Sequence, residues 1–292
     1  MNKVNKNNSK NNDDFANNNN FAKVKLKEKK KFKFPFLGVY SILIYLFLYI
    51  PLIIIVLFSF NASKSTVTFG NFTIKWYQEL MRNSSLVDSF VHSLQVSLTA
   101  VVIAVVLGTS GAFFIVRTNF PGKRFFMTLA QLPIILPGII IGIAMLIFFI
   151  NLHVPLSMLT ITLGHVSFTT PVVMFQVMSR LSRLGRTYED AAKDLGANQV
   201  KTLFLVTLPM IKTAIIGGAL LAFAMSFDEI VITYFLTGSW TTLPVFIYGM
   251  MRFGLSPQIY AISTVILLFS IIIIFFMAKF TGTKAEELMV KK

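Results

Sequence analysis

The chain has 292 residues, of which 55% are hydrophobic and only 13% are charged, and its mean hydropathy is +0.71. A soluble domain of this length could not bury 30 phenylalanine rings, so the composition excludes an ordinary globular protein. The lack of cysteine excludes disulfides and thiolate chemistry. Because the three histidines (His92, His153 and His165) have no metal-ligand spacing, we expect no metal site.

The net charge of +15 is unevenly distributed along the chain. Ten of the 27 lysines and arginines precede Pro35, and most of the others lie in short segments between apolar runs. This pattern is typical of membrane topology signals and of contacts with lipid headgroups, rather than of nucleic-acid binding. We therefore expect a lipid bilayer, and no nucleic acid, as the partner of these charges.

Residues 1–35 are expected to form a disordered basic cytoplasmic tail. The first 22 are rich in asparagine and too poor in apolar residues to order themselves, and residues 23–33 form the basic run KVKLKEKKKFK. The apolar stretch that begins at Phe36 is much longer than the core of a signal peptide, and no clean cleavage site follows it. It therefore predicts a first membrane span and not a cleaved leader.

Six segments meet or approach the length of about 20 apolar residues that a membrane-spanning helix needs. They are Phe36–Phe60, Leu94–Val116, Phe125–Ile150, Val154–Met178, Thr213–Phe235 and Ile259–Ala278. The sequence thus predicts an all-α polytopic membrane protein with six transmembrane helices. The predicted parts are a first span over 36–60, an extracellular loop over 61–90, a core of five spans over 91–280 and a cytoplasmic tail over 281–292.

The basic residues outside the spans predict the orientation of the chain. Of the 27 lysines and arginines, 23 lie on the side that holds both termini. The other side has only four, Lys64, Lys75, Arg82 and Arg252. Because short loops rich in lysine and arginine stay in the cytoplasm, this split predicts a multi-pass plasma-membrane protein with both termini cytoplasmic.

Two spans carry residues that suit contact with protein. The fifth has a face of small residues that recur every four positions: Ala214, Gly218, Ala222 and Ser226. Such a face allows close packing of helices. The third has helix-bending residues: Pro133, Pro137, Gly138 and Gly142. Their freed backbone groups favour either the lining of a cavity or ordinary packing with kinks, and the sequence leaves both open.

The connection between the fourth and fifth spans, residues 181–209, is the most informative segment. Thr187 is predicted to cap a short helix that has Glu189 and Asp190 in its first turn, where acids suit the helix dipole. Gly196 is predicted to end this helix, because glycine readily takes the left-handed closing conformation.

A second helix is predicted to follow, with four apolar residues: Val200, Leu203, Phe204 and Leu205. Pro209 either ends this helix or opens the fifth span. A pair of helices held outside the membrane suits docking into the groove of a partner protein.

The spacing of this loop resembles the EAA loop of binding-protein-dependent ABC importer permeases. The matching residues are Asp190-Ala191-Ala192, Gly196, Val206 and Leu208-Pro209. The one departure is Asp190 in place of glutamate, with Glu189 beside it. The resemblance covers roughly residues 90–280.

The resemblance to these permeases implies the type I ABC importer permease fold and a separate ABC ATPase subunit that docks on residues 187–209. It implies coupling roles for Glu189, Asp190, Ala191, Ala192, Gly196, Leu208 and Pro209. It also implies a second permease subunit, in a heterodimer, and an extracellular substrate-binding protein.

A narrower resemblance is to the second permease subunit of spermidine/putrescine importers. It is carried by Ser226-Phe227-Asp228-Glu229-Ile230-Val231, Phe235-Leu236-Thr237-Gly238, Thr242-Leu243-Pro244, Ile247-Tyr248 and Ser256-Pro257. It implies a cationic small-molecule substrate. Related permeases for thiamine, metal cations or phosphonates share parts of the pattern and stay as alternatives. Gly138 stands where polyamine members often carry an acid, a departure that bears on the substrate and not on the transporter class.

Asp228 and Glu229 are the only formal charges inside a predicted span. About 22 Å of helix precedes them in that span, so they are expected near its outer end. Charges at such a depth usually face a water-filled path or a partner charge, and adjacent carboxylates would suit a di- or trication. Because Ser226, Glu229 and Thr233 share one helix face by their spacing of three and four residues, a polar stripe could continue past the acids. We predict a substrate path at Asp228, Glu229 and Ser226; the alternative is a helix that simply ends at the interface.

Two further residues allow a functional and a structural interpretation. Trp76 is followed by Tyr77 in the outer loop, a pairing typical of a membrane-interface belt. The resemblance to polyamine permeases adds Trp76 to the candidate substrate path, where its ring could contact an ammonium group. His165 lies inside a predicted span, where a packing hydrogen bond is favoured over proton transport.

Other function classes lack support in the sequence. No P-loop, HExxH motif or Ser/His/Asp arrangement is present, so we expect no catalytic residue and no cofactor, with ATP hydrolysed by a separate subunit. A secondary transporter or channel would need its own coupling-ion site and, commonly, an internal repeat, and neither is evident. We interpret the chain as the permease subunit of an ATP-driven importer, with a secondary transporter as the alternative.

Overall fold

The computed structural model describes residues 35–63, 68–252, 254 and 256–282. Nearly all of the predicted tail 1–35, and most of the predicted tail 281–292, lie outside the described residues. The helices are α1 Pro35–Phe58, α2 Lys75–Arg82, α3 Ser84–Arg117, α4 Lys123–Ile135, α5 Gly138–Asn151, α6 Met158–Leu184, α7 Thr187–Asp194, α8 Gln199–Thr202, a π-helical turn Leu203–Thr207, α9 Leu208–Phe227, α10 Val231–Leu236, α11 Leu243–Met251 and α12 Pro257–Gly282. Within the described ranges, the only extended pairing is a single bridge between Asn61 and Phe72.

Among the described residues, five helical stretches are long and apolar enough to cross a membrane. They are Gly38–Phe58, Ser84–Arg117, Met158–Leu184, Gln199–Phe227 and Pro257–Phe275. The bent pair α4 and α5 makes a sixth if it is counted as one span. The predicted all-α, polytopic architecture is confirmed.

The chain divides into two compact units, Met1–Ile50 and Pro51–Lys292. The described part of the first unit is the beginning of α1, whose side chains from Gly38 onward are exposed. Exposed apolar side chains in such density require lipid or another protein around them. The second unit contains all the other described helices, and its core lies where α3, α6 and α9 pack together.

Small residues allow the backbones of these three helices to approach closely. On α3, Ala100, Ala104, Gly108 and Ala112 recur every four positions and are buried. A Cβ atom at Gly108 would lie 2.8 Å from the carbonyl oxygen of Thr170 and 2.9 Å from the backbone nitrogen of Met174, both on α6. The predicted small face of α9 is also confirmed at Gly218, Ala222 and Ser226, which are buried.

The predicted third span is not one continuous helix. Leu136 and Pro137 separate α4 from α5, and the two helix axes are bent by 101°. Leu136 is extended, with ψ 138°, because the ring of a following proline disfavours the helical conformation. The break lets α5 begin at Gly138 with a new direction.

The predicted fifth span, Thr213–Phe235, is not one continuous helix. Its first part belongs to a helical stretch that runs from Gln199 and ends at Phe227, and Val231–Leu236 is a separate helix. Pro209 opens α9 and does not end the preceding helix. Proline has no backbone N–H to donate to the carbonyl four residues earlier, and its ring crowds that carbonyl. The turn at 203–207, just before Pro209, is therefore widened into a π-helix.

We predict that Gly108→Ala destabilises the helix bundle. The new Cβ would press on the α6 backbone, which can move only with the whole helix, so we expect a loss of about 1–3 kcal/mol. Gly111→Ala is the matched control on the same helix, since its Cβ would meet only the flexible side chain of Met174, at 3.1 Å. Thermal denaturation of the purified proteins measures both effects. Equal melting temperatures for the two variants would contradict the close backbone contact.

Candidate functional site

The predicted first loop helix is α7, Thr187–Asp194. Glu189 and Asp190 lie in its first turn, as predicted. The prediction for Thr187 was wrong: Arg186 occupies the N-cap position, no side chain caps the helix, and Thr187 is already helical. The N-cap assignment failed because a threonine inside the first turn and one just before it look alike in sequence.

Gly196 ends this helix in the left-handed region, with φ +84°, as predicted. The backbone N–H of Gly196 donates to the carbonyl of Lys193, and that of Ala197 donates to the carbonyl of Ala192. This pair of bonds is the Schellman closure of a helix. Apart from Gly196 itself and its two chain neighbours, no described atom lies within 4 Å of the place where a Cβ would stand. Glycine is therefore favoured here by backbone conformation and not by lack of space.

Glu189 connects three parts of the molecule. Its Oε1 accepts two hydrogen bonds from Arg117 at the end of α3, at 2.8 and 3.1 Å, and one from the Thr207 hydroxyl in the π-turn, at 3.2 Å. Arg117 also donates to the carbonyl of Gly185, while Arg186 donates to the carbonyl of Arg117. The pair is mostly buried, with side chains 18% and 16% exposed. Glu189 thus holds α7 against the membrane helices.

Asp190 has a different environment from its neighbour. Its side chain is 58% exposed and forms an ion pair with Lys193 at 3.2 Å, one turn along α7. Exposed pairs of this kind contribute little to stability. Of the two alanines that follow, Ala191 is exposed and Ala192 is half-buried. Asp190 and Ala191 are therefore accessible to a partner protein.

The loop also exposes a group of large apolar side chains, here called the loop apolar surface. Its members are Tyr188, Leu195, Val200, Phe204 and Leu205, all between 56% and 90% exposed. Leu208 is half-buried and Pro209 is exposed where α9 begins. Large apolar side chains exposed along one loop suit protein–protein contact.

The two acids lie at a break between helices and not within one. Asp228 follows the last residue of α9 and is exposed. Glu229 is half-buried, and its Oε1 accepts the backbone N–H of Ile232 at 2.9 Å, which satisfies a free donor at the start of α10. Within the part of the chain that the structure describes, neither carboxylate has a basic group within ion-pair distance. No side-chain cation of the described residues therefore compensates their negative charge.

His165 on α6 bridges the two sides of this break. Its Nδ1 lies 2.7 Å from the hydroxyl of Ser226 on α9, and its Nε2 lies 2.8 Å from the hydroxyl of Thr233 on α10. Thr233 donates its own proton to the carbonyl of Glu229, so its oxygen must accept from His165. Nε2 then carries the ring proton, and Nδ1 accepts from Ser226. With His165 neutral, each hydrogen bond from Ser226 through His165 and Thr233 to the carbonyl of Glu229 has one donor and one acceptor.

Glycines let α10 sit close to its neighbours. A Cβ at Gly164, next to His165, would lie 2.5 Å from Leu236 and 2.9 Å from Ile232. A Cβ at Gly142 on α5 would lie 2.7 Å from the ring of Phe235. The start of α5 is near the acids as well, because a Cβ at Gly138 would be 3.8 Å from Oε1 of Glu229. The broken third span and the broken fifth span therefore meet at α10.

Trp76 is not on the surface beside the acids. It is 6% exposed, and its indole N–H donates to the carbonyl of Asn61 at 2.7 Å. It belongs to the same apolar cluster as Phe227, the residue before Asp228. The structure thus brings Ser226, Asp228 and Glu229 together and places Trp76 in the packing behind them. The packing hydrogen bond predicted for His165 is present, but its two partners were not predicted, because they are 61 and 68 residues away along the chain.

Comparison with known proteins identifies relatives over most of this length. A family described as the binding-protein-dependent transport system inner membrane component matches residues 100–282. The putrescine transport system permease protein PotI of Escherichia coli is 37% identical over 235 residues, which cover 78% of this chain and 83% of the relative. The spermidine/putrescine transport system permease protein PotC of Escherichia coli is 34% identical over 215 residues, covering 73% of this chain and 81% of the relative.

Two solved structures share the fold. A bacterial ABC transporter involved in the import of alginate superimposes with a TM-score of 0.63, at 16% identity, over 84% of this chain and 95% of that chain. An amino acid ABC transporter superimposes with a TM-score of 0.56, at 12% identity, over 72% of this chain and 99% of that chain. The chain therefore belongs to the family of inner membrane components of binding-protein-dependent transport systems.

Proposed function

We propose that this chain is one of two permease subunits of an ATP-driven importer for polyamines such as putrescine and spermidine. A second permease, a separate ABC ATPase and an extracellular receptor complete the complex, and both termini of this chain face the cytoplasm. The charge split along the sequence supports this orientation, since 23 of 27 basic residues lie on the side of the termini.

One observation carries the choice of substrate class. Asp228 and Glu229 have no basic partner among the described residues, and a hydrogen-bonded network and tight glycine contacts hold the segment around them. A helix that merely ended at the interface would not need such support. Two carboxylates without a basic partner among the described residues, held at a fixed interruption between α9 and α10, suit contact with an organic cation. The relatives named for putrescine and spermidine transport agree with this choice.

The loop apolar surface supports the second part of the proposal. Together with Asp190 and Ala191 it offers a partner both apolar anchors and a charged group. We propose that the ATPase docks here, on residues 187–209, while Glu189 holds α7 in place from behind. We propose that Gly196, Leu208 and Pro209 shape the loop, since Gly196 closes α7 and Leu208 and Pro209 begin α9.

The direct test is reconstitution of the complete importer in proteoliposomes with its receptor. ATP hydrolysis is compared in the presence of spermidine, putrescine, thiamine and a neutral sugar. We expect stimulation by the two polyamines alone. Stimulation by thiamine or by the sugar would overturn the substrate class and leave the importer assignment standing.

Gly196→Val is predicted to uncouple the ATPase subunit. A β-branched residue at positive φ costs about 1–2 kcal/mol and favours another closing conformation of α7. Gly196→Asn is the matched control, because asparagine tolerates this conformation and there is open space around Gly196. Membrane insertion should be unchanged in both variants. Co-purification of the ATPase and coupled transport should fall only for valine; normal transport by the valine variant would remove the coupling role.

Asp228→Asn combined with Glu229→Gln is predicted to reduce polyamine uptake about tenfold or more, the scale of one lost interaction of about 1.4 kcal/mol. Glutamine keeps an oxygen that can accept the N–H of Ile232, so the break should keep its shape. Basal ATP hydrolysis and receptor binding should persist. Asp88→Asn, at an exposed acid on α3, is the control and should transport normally. Undiminished uptake by the double variant would leave the acids as a helix end.

Thr233→Val is predicted to weaken both stability and uptake. Valine keeps the shape of threonine but leaves the Nε2–H of His165 and the carbonyl of Glu229 without their partner, at a cost of about 1–3 kcal/mol. Thr233→Ser keeps the hydroxyl and serves as the control. Melting temperature and polyamine uptake are measured for each. If valine and serine behaved alike, the hydrogen-bond chain would have no role in holding the acids.

A further inference from the structure

Arg252 follows α11, and its guanidinium group lies over two tyrosine rings. The guanidinium carbon is 5.6 Å from the ring centroid of Tyr234 on α10 and 5.1 Å from that of Tyr248 on α11. A guanidinium nitrogen also donates to the Tyr234 hydroxyl at 3.2 Å. The two ring centroids are 6.0 Å apart, with planes at 82° to each other. Both distances to the cation are within the range of cation–π attraction, so the rings form a two-sided site for a positive group.

This pair of rings is accessible. Tyr234 is 42% exposed and Tyr248 is 38% exposed, and Arg252 is exposed as well. Within the described part of the chain, Arg252 has no carboxylate within ion-pair distance. The ring faces and the tyrosine hydroxyls are therefore the groups that hold its charge in the described structure.

The site is linked to the acid pair through α10. Glu229 caps the start of this six-residue helix, and Tyr234 lies on its second turn. The helix is fixed by the hydrogen bond between Thr233 and His165 and by its close packing on Gly142 and Gly164. Tyr234 and the acids are thus presented by one fixed segment. A flexible cation with several amino groups could contact both.

We propose that Tyr234 and Tyr248 form a binding site for an organic ammonium group on the solute path, and that Arg252 is an internal cation that occupies this site until the solute displaces it. The proposal rests on the proposed function, since it assigns a second contact to the same cationic solute. The chemistry is that of primary and secondary ammonium groups, which aromatic faces attract as they attract a guanidinium.

Displacement of Arg252 is feasible because the contact is exposed. An exposed cation–π contact changes a binding constant by only about two- to fivefold, so a solute delivered at high local concentration competes with it. Arg252 is exposed at the C-cap of α11, so its side chain can rotate away from the rings without disturbing a packed core. Water then solvates the released guanidinium group, and the carboxylates of Asp228 and Glu229 attract the solute cation to the vacated rings.

The test uses the complete importer in proteoliposomes, with receptor and radiolabelled spermidine below saturation. Tyr234→Leu and Tyr248→Leu remove the ring faces, and Tyr234→Phe and Tyr248→Phe keep them. Arg252→Gln removes the internal cation. Phe72→Leu is the control, because it removes an exposed ring that stacks on Phe60 and holds no cation in the described structure. Uptake of spermidine per ATP hydrolysed is the readout, with melting temperature measured alongside.

We expect each leucine variant to lower uptake about two- to fivefold, the scale of one lost exposed ring contact. The phenylalanine variants and Phe72→Leu should stay within about twofold of the parent protein, and Arg252→Gln should raise uptake about two- to fivefold. Leucine variants with normal uptake would overturn the site. A loss of uptake in Arg252→Gln as large as in the leucine variants would overturn the site, because it would show that Arg252 and the rings only stabilise the fold. Weaker receptor capture by Arg252→Gln, with uptake unaffected in the tyrosine variants, would make this surface a receptor contact and also overturn the site.

Failure of the proposed function would look different. In that case the parent complex itself would take up no spermidine or putrescine, whatever its variants did. Failure of the ring site alone would leave normal spermidine uptake in the parent and equal uptake in the leucine and phenylalanine variants.

Discussion

Backbone donors and acceptors at an interrupted helix must find partners inside the protein wherever lipid replaces water, and this constraint shapes the part of the chain that we assign to the solute. The breaks at Leu136–Pro137 and at Asp228–Ile230 lie against each other, since Gly138 approaches the side chains of Glu229 and Val231. Proline lacks one of the donors that would otherwise be free. Glu229 satisfies the N–H of Ile232, and Thr233 satisfies the carbonyl of Glu229. The residues that make the break possible are therefore the same ones that place a carboxylate there.

The sequence predicted that the spans and the loop helix exist, because both depend on local signals. Apolar runs of about 20 residues reveal a membrane helix directly, and the left-handed turn at Gly196 follows from glycine itself. The ends of spans depend on neighbours far along the chain. Phe227 and Val231 look as apolar as any span interior, and only the packing of α10 on Gly142 and Gly164 explains why the helix stops between them. The partners of His165 and the two rings at Arg252 belong to the same class of long-range contact and had no local signal.

The two neighbouring acids of α7 divide the work of the loop. Glu189 faces inward and binds Arg117 and Thr207, so it fixes where α7 lies relative to α3 and the π-turn. Asp190 faces outward with only Lys193 beside it. Consecutive residues on a helix point about 100° apart, which is why one can hold the loop while the other remains available to a partner. The motif resemblance directed attention to Asp190, although the mostly buried pair at Glu189 contributes more to the fold of the loop.

The loop and the acids are joined by one helical stretch, Gln199–Phe227. At 1.5 Å per residue it is about 44 Å long, enough to carry a displacement from one membrane face to the other. Its irregular part, the π-turn at Leu203–Thr207, contacts Glu189 through Thr207. Its far end is Phe227, one residue after Ser226, which binds His165.

If the proposed function holds, a displacement of the loop by the ATPase would reach the solute path through this helical stretch. It could change the acid break without unfolding it, because α10 is held separately by α5 and α6. Coupling would then depend on the rotation or translation of one stiff helix between two anchored ends, which is a movement that packed small-residue faces such as Gly218 and Ala222 permit at low cost.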